Sequence, residues 1–375
     1  MPFPPLVEPV DALSDSEHHR TARHAVLAGF GERAQRRLAA SRVAVIGAGG
    51  LGSPTVLALA AAGVGELIVV DDDVVEVSNL QRQVLHRVSD AGHPKVDGAI
   101  RAAADLSPET VVHPVRERLT AGNAARLLAE AHVVIDGSDT FETRAAVAAA
   151  CEQLGVPLVW GTVQEFDAQV TVFWSAPPAG VEPVVLSDLH PPSGVGEVPS
   201  CAQVGVLGAL CIQVGGMMAI EAIKLLTGIG DPLLGRILLI DALRARQREV
   251  PLRPARATAP PTPAPAPAPA HERALVASST LPDVAATAQS RGGNITVLDV
   301  REPAETATGV IDGALLVPLG EVLADAAALG PGPFLVVCQA GIRAERAAQA
   351  LRSAGATASV LPGGMNALAA WAATA

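Results

Sequence analysis

The feature that most constrains the fold is a glycine-rich loop between an apolar strand pattern and a helix pattern. Residues 42–47 read RVAVIG, and the loop continues as GAGGLG, with Gly47, Gly49 and Gly52 at its first, third and sixth positions. Glycines there let the backbone approach phosphate groups, and the N-terminus of the next helix attracts negative charge. The sequence therefore predicts a nucleotide-binding strand–loop–helix unit.

Strand and helix patterns alternate after this loop. Strand patterns cover residues 42–47, 67–71, 111–115 and 132–136, and helix patterns cover 54–63, 94–104 and 123–130. This alternation is typical of a parallel sheet with helices on both faces. We therefore expect a Rossmann-like, doubly wound α/β domain in the first part of the chain.

An aspartate stands where the second strand pattern ends. It is Asp71, 19 residues after Gly52, and a carboxylate at that distance binds ribose hydroxyls in dinucleotide-binding domains. Taken alone, the loop and this acid favour an oxidoreductase that uses NAD or FAD. The chain has no G-x-x-x-x-G-K-[ST] segment, which excludes a P-loop enzyme.

A segment rich in proline and alanine divides the chain. Residues 251–270 read PLRPARATAPPTPAPAPAPA, which forms neither a helix nor a strand ladder and favours polyproline II. We therefore predict a first domain over 1–250, a semi-rigid linker over 251–271 and a second domain over 272–375. The linker would span on the order of 40–60 Å if extended.

The second domain repeats the alternation on a smaller scale. Strand patterns cover 295–300 and 334–337 and recur near 359, and helix patterns cover 343–353 and 365–373. A small α/β domain is therefore expected there.

Charge and hydropathy exclude several classes of function. The net charge of -11 argues against a nucleic-acid partner, because phosphate binding needs a basic surface. Residues 1–20 lack the features of a secretory signal. The most apolar stretch, Val204 to Ile220, contains Gln213 and is followed at once by Glu221. We expect it to be a buried core helix and not a membrane span.

The four cysteines are widely spaced and form no C-x-x-C pair. They are Cys151, Cys201, Cys211 and Cys338. No cysteine or histidine cluster has metal-ligand spacing, so free thiols in a reduced, cytoplasmic protein are expected. Cys151 and Cys211 fall in helix patterns and are expected in the core.

Several motifs resemble, in order and spacing, the MoeB/ThiF group of ubiquitin-activating-type adenylyltransferases. Between residues 16 and 243 they read GAGGLGSP, AGVGELIVVDDDVVEVSNLQRQVL, HPKVDGA, DGSDTFETR, CAQVGVLG and EAIKLLTG. The resemblance implies adenylation, with MgATP, of the C-terminal Gly-Gly carboxylate of a ubiquitin-like sulfur carrier similar to MoaD or ThiS. Such a reaction builds charge on phosphate oxygens that cations must neutralise.

The resemblance also implies roles for individual residues. Arg82 and Lys95 would face the phosphates, Asp71 would hold the ribose, and Asp139 would lie near Mg²⁺. Arg23 matches an arginine that reaches the ATP of a partner subunit, which implies a homodimer. The implied nucleotide-binding residues are Arg23, Gly47, Gly49, Gly50, Asp71, Asp73, Ser78, Asn79, Gln81, Arg82, Lys95, Asp139 and Thr140.

The chain departs from the family pattern at two places. The family often has asparagine where Thr140 stands, which puts that contact in doubt. Many relatives carry two C-x-x-C pairs that bind a structural zinc, whereas the corresponding regions here read VTVFWSAPP and DALRARQRE. We therefore expect no structural zinc and expect packing, for example of Phe173 and Trp174, to replace it.

Cys201 precedes the apolar helix in the segment PSCAQVGVLG. A helix N-terminus favours a thiolate. In some members of the family the matching cysteine bonds covalently to the carrier or its sulfur, and in others it is dispensable. A covalent role and a structural role both stay open.

The tail of the chain resembles a single rhodanese domain from about residue 275 to 371. The matching segments are LDVREPAE, FLVVCQAGIRAERAAQAL and LPGGMNALAAW. The signature is Cys338-x-x-Gly341-x-Arg343, whose loop N–H groups stabilise a thiolate or persulfide and whose arginine adds positive charge. A phosphatase loop has one more residue between its cysteine and arginine. Asp299 and Arg301 resemble the family's supporting pair.

The two resemblances together imply one reaction sequence. Cys338 would take sulfur from a sulfane donor such as thiosulfate and pass it to the adenylated carrier, forming a C-terminal thiocarboxylate for molybdopterin and, in some bacteria, cysteine or thiolated-metabolite synthesis. Two other classes stay open: a nicotinamide-dependent oxidoreductase with a redox domain, and a scaffold that binds the carrier without catalysis.

Overall fold

The computed structural model describes residues 3–191, 205–254, 295–307, 309–339 and 341–372. Contacts divide these residues into two units, which we call unit 1 (3–254) and unit 2 (295–372). Cys201 and most of the expected linker lie outside the described residues. The predicted domain bounds therefore stay a prediction.

The sheet of unit 1 contains eight strands among the described residues. They are β1 Arg42–Ile46, β2 Glu66–Val70, β3 Val111–Val115, β4 Val133–Asp136, β5 Leu158–Gln164, β6 Asp167–Phe173, β7 Arg236–Asp241 and β8 Arg246–Pro251. Their order is β3-β2-β1-β4-β5-β6-β7-β8. The first five pair in parallel, and β6 to β8 extend the sheet antiparallel.

Helices cover both faces of this sheet. They are α1 Asp15–Arg20, α2 Ala22–Ala25, α3 Gly31–Ala39, α4 Gly52–Ala62, α5 Lys95–Leu106, α6 Ala124–Leu128, α7 Phe141–Leu154, α8 Leu186–Leu189 and α9 Gly208–Thr227. Along β1, Val43 and Val45 point into one core cluster with α4, α5 and α9. Ala44 and Ile46 point into a second cluster with α6 and α7. The expected doubly wound α/β fold is confirmed.

Helix α9 is long and apolar enough to cross a membrane, by length and composition alone. A core helix passes the same test, and 56% of its apolar window is buried. Val214 and Met218 are fully buried in the core. Glu221 is also buried, and it accepts hydrogen bonds from the Lys224 ammonium (2.6 Å) and the Leu233 backbone N–H (2.7 Å). The helix therefore serves as a core helix of unit 1, as predicted.

Phe173 and Trp174 lie at the end of β6, where relatives with zinc carry cysteines. Phe173 packs against Trp160 with ring centroids 5.9 Å apart. The Trp174 ring stacks on Phe3, and its indole N–H donates to the Gly155 carbonyl at 2.9 Å. Among the described residues, the acidic, His and Cys side chains close enough to share a metal are Asp71–Asp73, and no cysteine belongs to that group.

Unit 2 is built on a parallel sheet. Its described strands are β9 Thr296–Asp299, β10 Leu315–Leu316, β11 Phe334–Val337 and β12 Ala358–Val360, in the order β10-β9-β11-β12. Its described helices are α10 Pro303–Thr306, α11 Leu319–Ala324, α12 Ile342–Ser353 and α13 Gly364–Ala372. Leu298, Val336 and Leu351 are fully buried between sheet and helices. The strand and helix patterns predicted for the tail are present.

Candidate active sites

A cleft opens at the carboxyl ends of the parallel strands of unit 1. Strand β1 lies between β2 and β4, so the chain leaves it in opposite directions and a crevice forms there. Gly47 follows β1, Asp71 follows β2, and Asp139 lies three residues after the end of β4. All three line the cleft.

The glycine loop is tightly packed at its two ends and open in its middle. Gly47 has φ +86°, and a Cβ on Gly52 would lie only 1.7 Å from the Gly47 carbonyl oxygen. Only glycine therefore allows α4 to start this close to β1. A Cβ on Gly49 would meet only the Gln83 amide nitrogen, at 3.7 Å. The backbone at Gly49 is thus open to a ligand.

The Asp71 carboxylate holds the glycine loop in place. One of its oxygens accepts a hydrogen bond from the Ala48 backbone N–H at 2.7 Å, and the other accepts from the Asp73 backbone N–H at 2.9 Å. Burial raises the pKa of Asp71, while the nearby Lys95 ammonium opposes that rise. Each oxygen keeps a lone pair that a ribose hydroxyl can use.

Two cations line the cleft beside Asp71. Lys95, the first residue of α5, is 7% exposed, and its ammonium lies 2.7 Å from Asp73. Arg82 is half-buried, and its guanidinium donates to the Ser78 carbonyl at 3.3 Å. The structure therefore brings together the two cations that the sequence assigned to the phosphates.

The segment after β4 is fixed by buried polar contacts. One oxygen of Asp136 accepts from the backbone N–H (2.9 Å) and the hydroxyl (2.6 Å) of Ser138, and burial raises the pKa of Asp136. The Arg144 guanidinium donates to the Ser138 carbonyl at 2.9 Å and lies 5.3 Å from the ring centre of Trp160. Asp139 follows this fixed turn and is exposed.

Thr140, the departure from the family pattern, caps helix α7. Its hydroxyl oxygen accepts a hydrogen bond from the Thr143 backbone N–H at 3.2 Å. Its hydroxyl also lies 2.8 Å from that of Thr143. Thr140 lines the cleft, but its oxygen already serves the helix N-terminus.

Four predicted nucleotide-binding residues do not line this cleft. Asn79 is buried, and its side chain accepts from the Glu76 backbone N–H at 3.1 Å. The Ser78 hydroxyl donates to the Glu76 carboxylate at 3.0 Å. Gln81 and Arg23 are exposed. Gly47, Gly49, Gly50, Asp71, Asp73, Arg82, Lys95, Asp139 and Thr140 all line it.

Some residues that line the cleft were not assigned to it from the sequence, among them Arg144, Gln83 and Cys211. Arg144 stands in the segment DGSDTFETR and Gln83 in NLQRQ, so both were within motifs already noted. Gln83 is 4% exposed, and its carbonyl oxygen has no partner in the described part of the chain. Cys211 is buried in the core as expected. Its sulfur also lies next to the glycine loop, since a Cβ added to Gly50 would be 3.2 Å from it.

Unit 2 has its own candidate site at Cys338, directly after β11. The thiol is 1% exposed, and the Gly341 backbone N–H donates to its sulfur at 3.1 Å. Gly341 has φ +97°, which aims that N–H back at the sulfur. The Met365 backbone N–H donates to the Cys338 carbonyl at 2.9 Å. Such a loop stabilises a sulfur anion by backbone dipoles.

Two ion pairs surround the Cys338 loop. The first, Asp299–Arg301, is buried, with a shortest contact of 2.7 Å. Arg301 also donates to the Gln339 side chain at 3.3 Å, so it supports the loop. The second joins Arg343 to Glu305 through two contacts of 2.6 and 2.5 Å. Arg343 holds the pKa of Glu305 below its usual range, and Glu305 raises the pKa of Arg343.

Comparison with known proteins identifies both units. Residues 21–261 match the ThiF family, and residues 282–370 match the rhodanese-like domain. The chain belongs to the ThiF family. It is an enzyme with an adenylyltransferase domain and a sulfurtransferase domain. The glycine loop taken alone favours an oxidoreductase, but these family models identify an adenylyltransferase domain and a sulfurtransferase domain instead.

Proteins similar in sequence to this chain cover most of its length. The probable adenylyltransferase/sulfurtransferase MoeZ of Mycobacterium tuberculosis is 41% identical over 94% of this chain and 93% of its own length. The sulfur carrier protein adenylyltransferase of Thermus thermophilus is 45% identical over 63% of this chain and 88% of its own length. The crystal structure of PaaA covers 65% of this chain and 76% of PaaA, with a TM-score of 0.54 and 24% identity, which shows the shared fold.

Proposed function

We propose that unit 1 uses MgATP to adenylate the C-terminal Gly-Gly carboxylate of a ubiquitin-like sulfur carrier, and that Cys338 of unit 2 supplies sulfur to form a thiocarboxylate. The observation that carries this proposal is the convergence of Asp71, Lys95, Arg82 and Asp139 on one cleft beneath an open glycine loop. The relative from Thermus thermophilus, named for acting on a sulfur carrier, supports the choice of substrate.

In the first step, a carboxylate oxygen of the carrier attacks the α-phosphorus of ATP and pyrophosphate leaves. Lys95 and Arg82 supply positive charge where the phosphate oxygens gain negative charge. Lys95 is buried at the cleft, so its charge is less screened by water than a surface lysine would be. Asp71 would accept hydrogen bonds from the ribose hydroxyls, which the free lone pairs of its carboxylate support.

Asp139 is the proposed ligand for Mg²⁺. Its carboxylate is exposed, lines the cleft and forms no ion pair within the described residues, and carboxylate oxygens are ligands that Mg²⁺ prefers. When bound, the ion would neutralise phosphate charge. Asp139 directly follows the turn fixed by Asp136 and Arg144, which supports this assignment.

In the second step, the Cys338 thiolate attacks the sulfane sulfur of a donor such as thiosulfate, and sulfite leaves. The terminal sulfur of the resulting persulfide attacks the acyl carbon of the adenylate, directly or through Cys201, and AMP leaves. A thiol then cleaves the acyl disulfide by exchange, which releases the carrier thiocarboxylate. The Gly341 N–H at 3.1 Å supports an anionic sulfur at Cys338.

The enzyme is proposed to be a cytoplasmic homodimer with no structural zinc, and to serve the synthesis of molybdopterin or related sulfur-containing products.

Arg23 is exposed on α2 and has no partner among the described residues of unit 1. Val26 and Leu27 beside it are 76% and 54% exposed, and such apolar side chains favour a second subunit as cover. Arg23 would then reach the nucleotide of that subunit.

The test is intact-protein mass spectrometry of a Gly-Gly carrier incubated with the enzyme, MgATP and thiosulfate. Replacement of one carrier oxygen by sulfur is expected, and it should need ATP and be lost in Cys338→Ala. The Cys201→Ala variant distinguishes direct from relayed transfer. Carrier that is adenylated but gains no sulfur from thiosulfate would show that the donor or the role of Cys338 is wrong, and the same result with a persulfide donor as well would refute the role of Cys338. Carrier that binds without ATP turnover would indicate a scaffold, and binding of NAD(H) in place of ATP would indicate an oxidoreductase.

A further inference from the structure

The loop around Cys338 stabilises a sulfur anion through backbone dipoles, and it has little unpaired positive charge nearby. The Gly341 N–H points at the sulfur from 3.1 Å. Two guanidinium groups belong to the loop or contact it: that of Arg301 donates to the Gln339 side chain, and Arg343 is the last residue of the signature. Whether either cation can bind a donor depends on what already holds it.

Both guanidinium groups are occupied by carboxylates. Arg301 makes three contacts of 2.7–3.0 Å with Asp299 and is 3% exposed. Arg343 is joined to Glu305 by two parallel contacts, and its side chain is 12% exposed while that of Glu305 is 32% exposed. A two-point pair of this kind fixes the planar guanidinium, takes up two of its five N–H donors and offsets the charge that would attract an incoming anion.

The two pairs differ in how easily they open. Asp299 is fully buried, so separating it from Arg301 would leave an unpaired buried charge. Glu305 reaches solvent, and it is part of a short helix, α10, that begins next to the Arg301 segment. Glu305 is therefore the group that controls whether Arg343 is available at the Cys338 loop.

We propose that Glu305 determines the sulfur donor by holding Arg343, so that Cys338 reacts preferentially with singly charged persulfides and poorly with the dianion thiosulfate. The proposal rests on the sulfur-transfer role of unit 2 given above and names its substrate class. A dianion gains most from a free guanidinium and is repelled most by the Glu305 carboxylate. With a persulfide donor, the Cys338 thiolate attacks the outer sulfur, the inner sulfur leaves as a thiolate, and no oxidant or reductant is consumed.

The experiment measures how fast Cys338 gains one sulfur atom in the full-length protein, with the dianion thiosulfate or with cysteine persulfide, whose net charge is single, as donor. Peptide mass spectrometry isolates Cys338 from the other cysteines. Glu305→Gln should raise the thiosulfate rate relative to the persulfide rate on the order of tenfold, the effect of one charge-assisted contact. Glu302→Gln is the matched control, since it removes a nearby exposed carboxylate that acts on Arg343 only through space and does not pair with it, so its ratio should change far less than that of Glu305→Gln.

Several outcomes would overturn the proposal. In Glu305→Gln, the ratio of the thiosulfate rate to the persulfide rate could stay unchanged while neither rate rises. This result would mean that Glu305 only supports the structure. An equal shift in Glu302→Gln would mean that general charge, and not the hold on Arg343, sets the preference. Failure of both donors to sulfurate the natural protein would refute the sulfur-transfer role itself.

A second readout tests the hold on Arg343 without any sulfur donor. Iodoacetate is an anion and iodoacetamide is neutral, so the ratio of their alkylation rates at Cys338 reports the charge at the loop. The iodoacetate-to-iodoacetamide ratio should rise in Glu305→Gln and change far less in Glu302→Gln. A constant ratio in Glu305→Gln would overturn the proposal even if sulfur transfer itself is confirmed.

Discussion

The Lys95 ammonium lies 2.7 Å from a carboxylate oxygen of Asp73 and 4.0 Å from one of Asp71. Lys95 and Asp71 are nearly buried, with side chains 8% exposed, whereas that of Asp73 is 67% exposed. The lysine is thus buried beside the cleft, whereas its partner Asp73 is exposed to solvent. The following prediction depends on this arrangement.

Replacing Lys95 by methionine should abolish most adenylation. The methionine keeps the length of the side chain but removes the charge that offsets the phosphate oxygens, so the rate of carrier-dependent ATP–pyrophosphate exchange should fall about 10²–10³-fold. Arg101→Met is the control, because Arg101 pairs with Asp90 at 2.8 Å and does not line the cleft. Exchange that persists in Lys95→Met would show that Arg82 suffices.

Alanine at Gly52 should lower the stability of unit 1, whereas alanine at Gly49 should weaken ATP binding. Gly52→Ala places a Cβ 1.7 Å from the Gly47 carbonyl oxygen, so it should lower the free energy of unfolding of unit 1 by roughly 1–3 kcal/mol or more. Gly49→Ala meets only a flexible amide at 3.7 Å, so unit 1 should stay stable. Its new methyl group should instead weaken ATP binding, because it covers the backbone that faces the cleft.

Denaturant unfolding and ATP titration together check this pair. Gly216→Ala serves as control: nothing lies within 4 Å of its Cβ in α9, and a helical alanine should stabilise by about 0.5–1 kcal/mol. A Gly49→Ala protein that binds ATP normally would mean that phosphate does not contact the loop there.

The buried Asp136 should make the stability of unit 1 depend on pH. Burial raises its pKa in the folded protein, so the folded state holds this proton more tightly than the unfolded state does. Its contribution is fully present below the unfolded pKa and is lost as pH rises through the raised folded pKa. Asp136→Asn should remove that loss, so the stability of unit 1 should depend less on pH in this variant.

Thermal unfolding of both proteins across mildly acidic to neutral pH tests this. The Tm of the natural protein should fall relative to Asp136→Asn as pH rises. A constant difference in Tm would mean that Asp136 titrates normally. Glu152→Gln offers a comparison, since Glu152 has a pKa raised by a smaller degree of burial.

Breaking the Asp299–Arg301 pair should destabilise unit 2 alone. Arg301→Leu leaves the fully buried Asp299 carboxylate without its cation, which costs about 3–5 kcal/mol. ATP–pyrophosphate exchange, which belongs to unit 1, should be unchanged. Limited proteolysis gives the measurement: cleavage should begin within 295–372 in Arg301→Leu and not in Gln349→Leu, at an exposed residue of α12. Equal resistance in both variants would refute this role of the pair.

Much of the fold was readable from the sequence because its signals are local. The parallel strands before α7 and the helices between them follow apolar periodicity and were predicted within a few residues, as was the glycine loop. Strands β5 to β8 were not predicted. Strand β8 reads RQREVP and is largely exposed, so it lacks the apolar alternation of a half-buried strand.

The candidate site was predictable only where a motif assigned a residue. Asp71, Lys95 and Asp139 were named from motifs, and the fold brings them together, though their roles stay predictions until tested. Asn79 was also named, yet it is buried and used within its own turn. Gln83 and Arg144 were not named, because nothing in their local sequence says that they face the cleft.

The sequence by itself determined the order of elements, the need for glycine at Gly47 and Gly52, and the two families, because each of these follows from backbone geometry or from motifs a few residues long. The tertiary structure decided which charges meet. Arg343 is paired with Glu305, 38 residues earlier, because parallel strands bring their carboxyl ends to one edge of a sheet. A guanidinium assigned to a sulfur anion from the sequence is thereby found bound to a carboxylate.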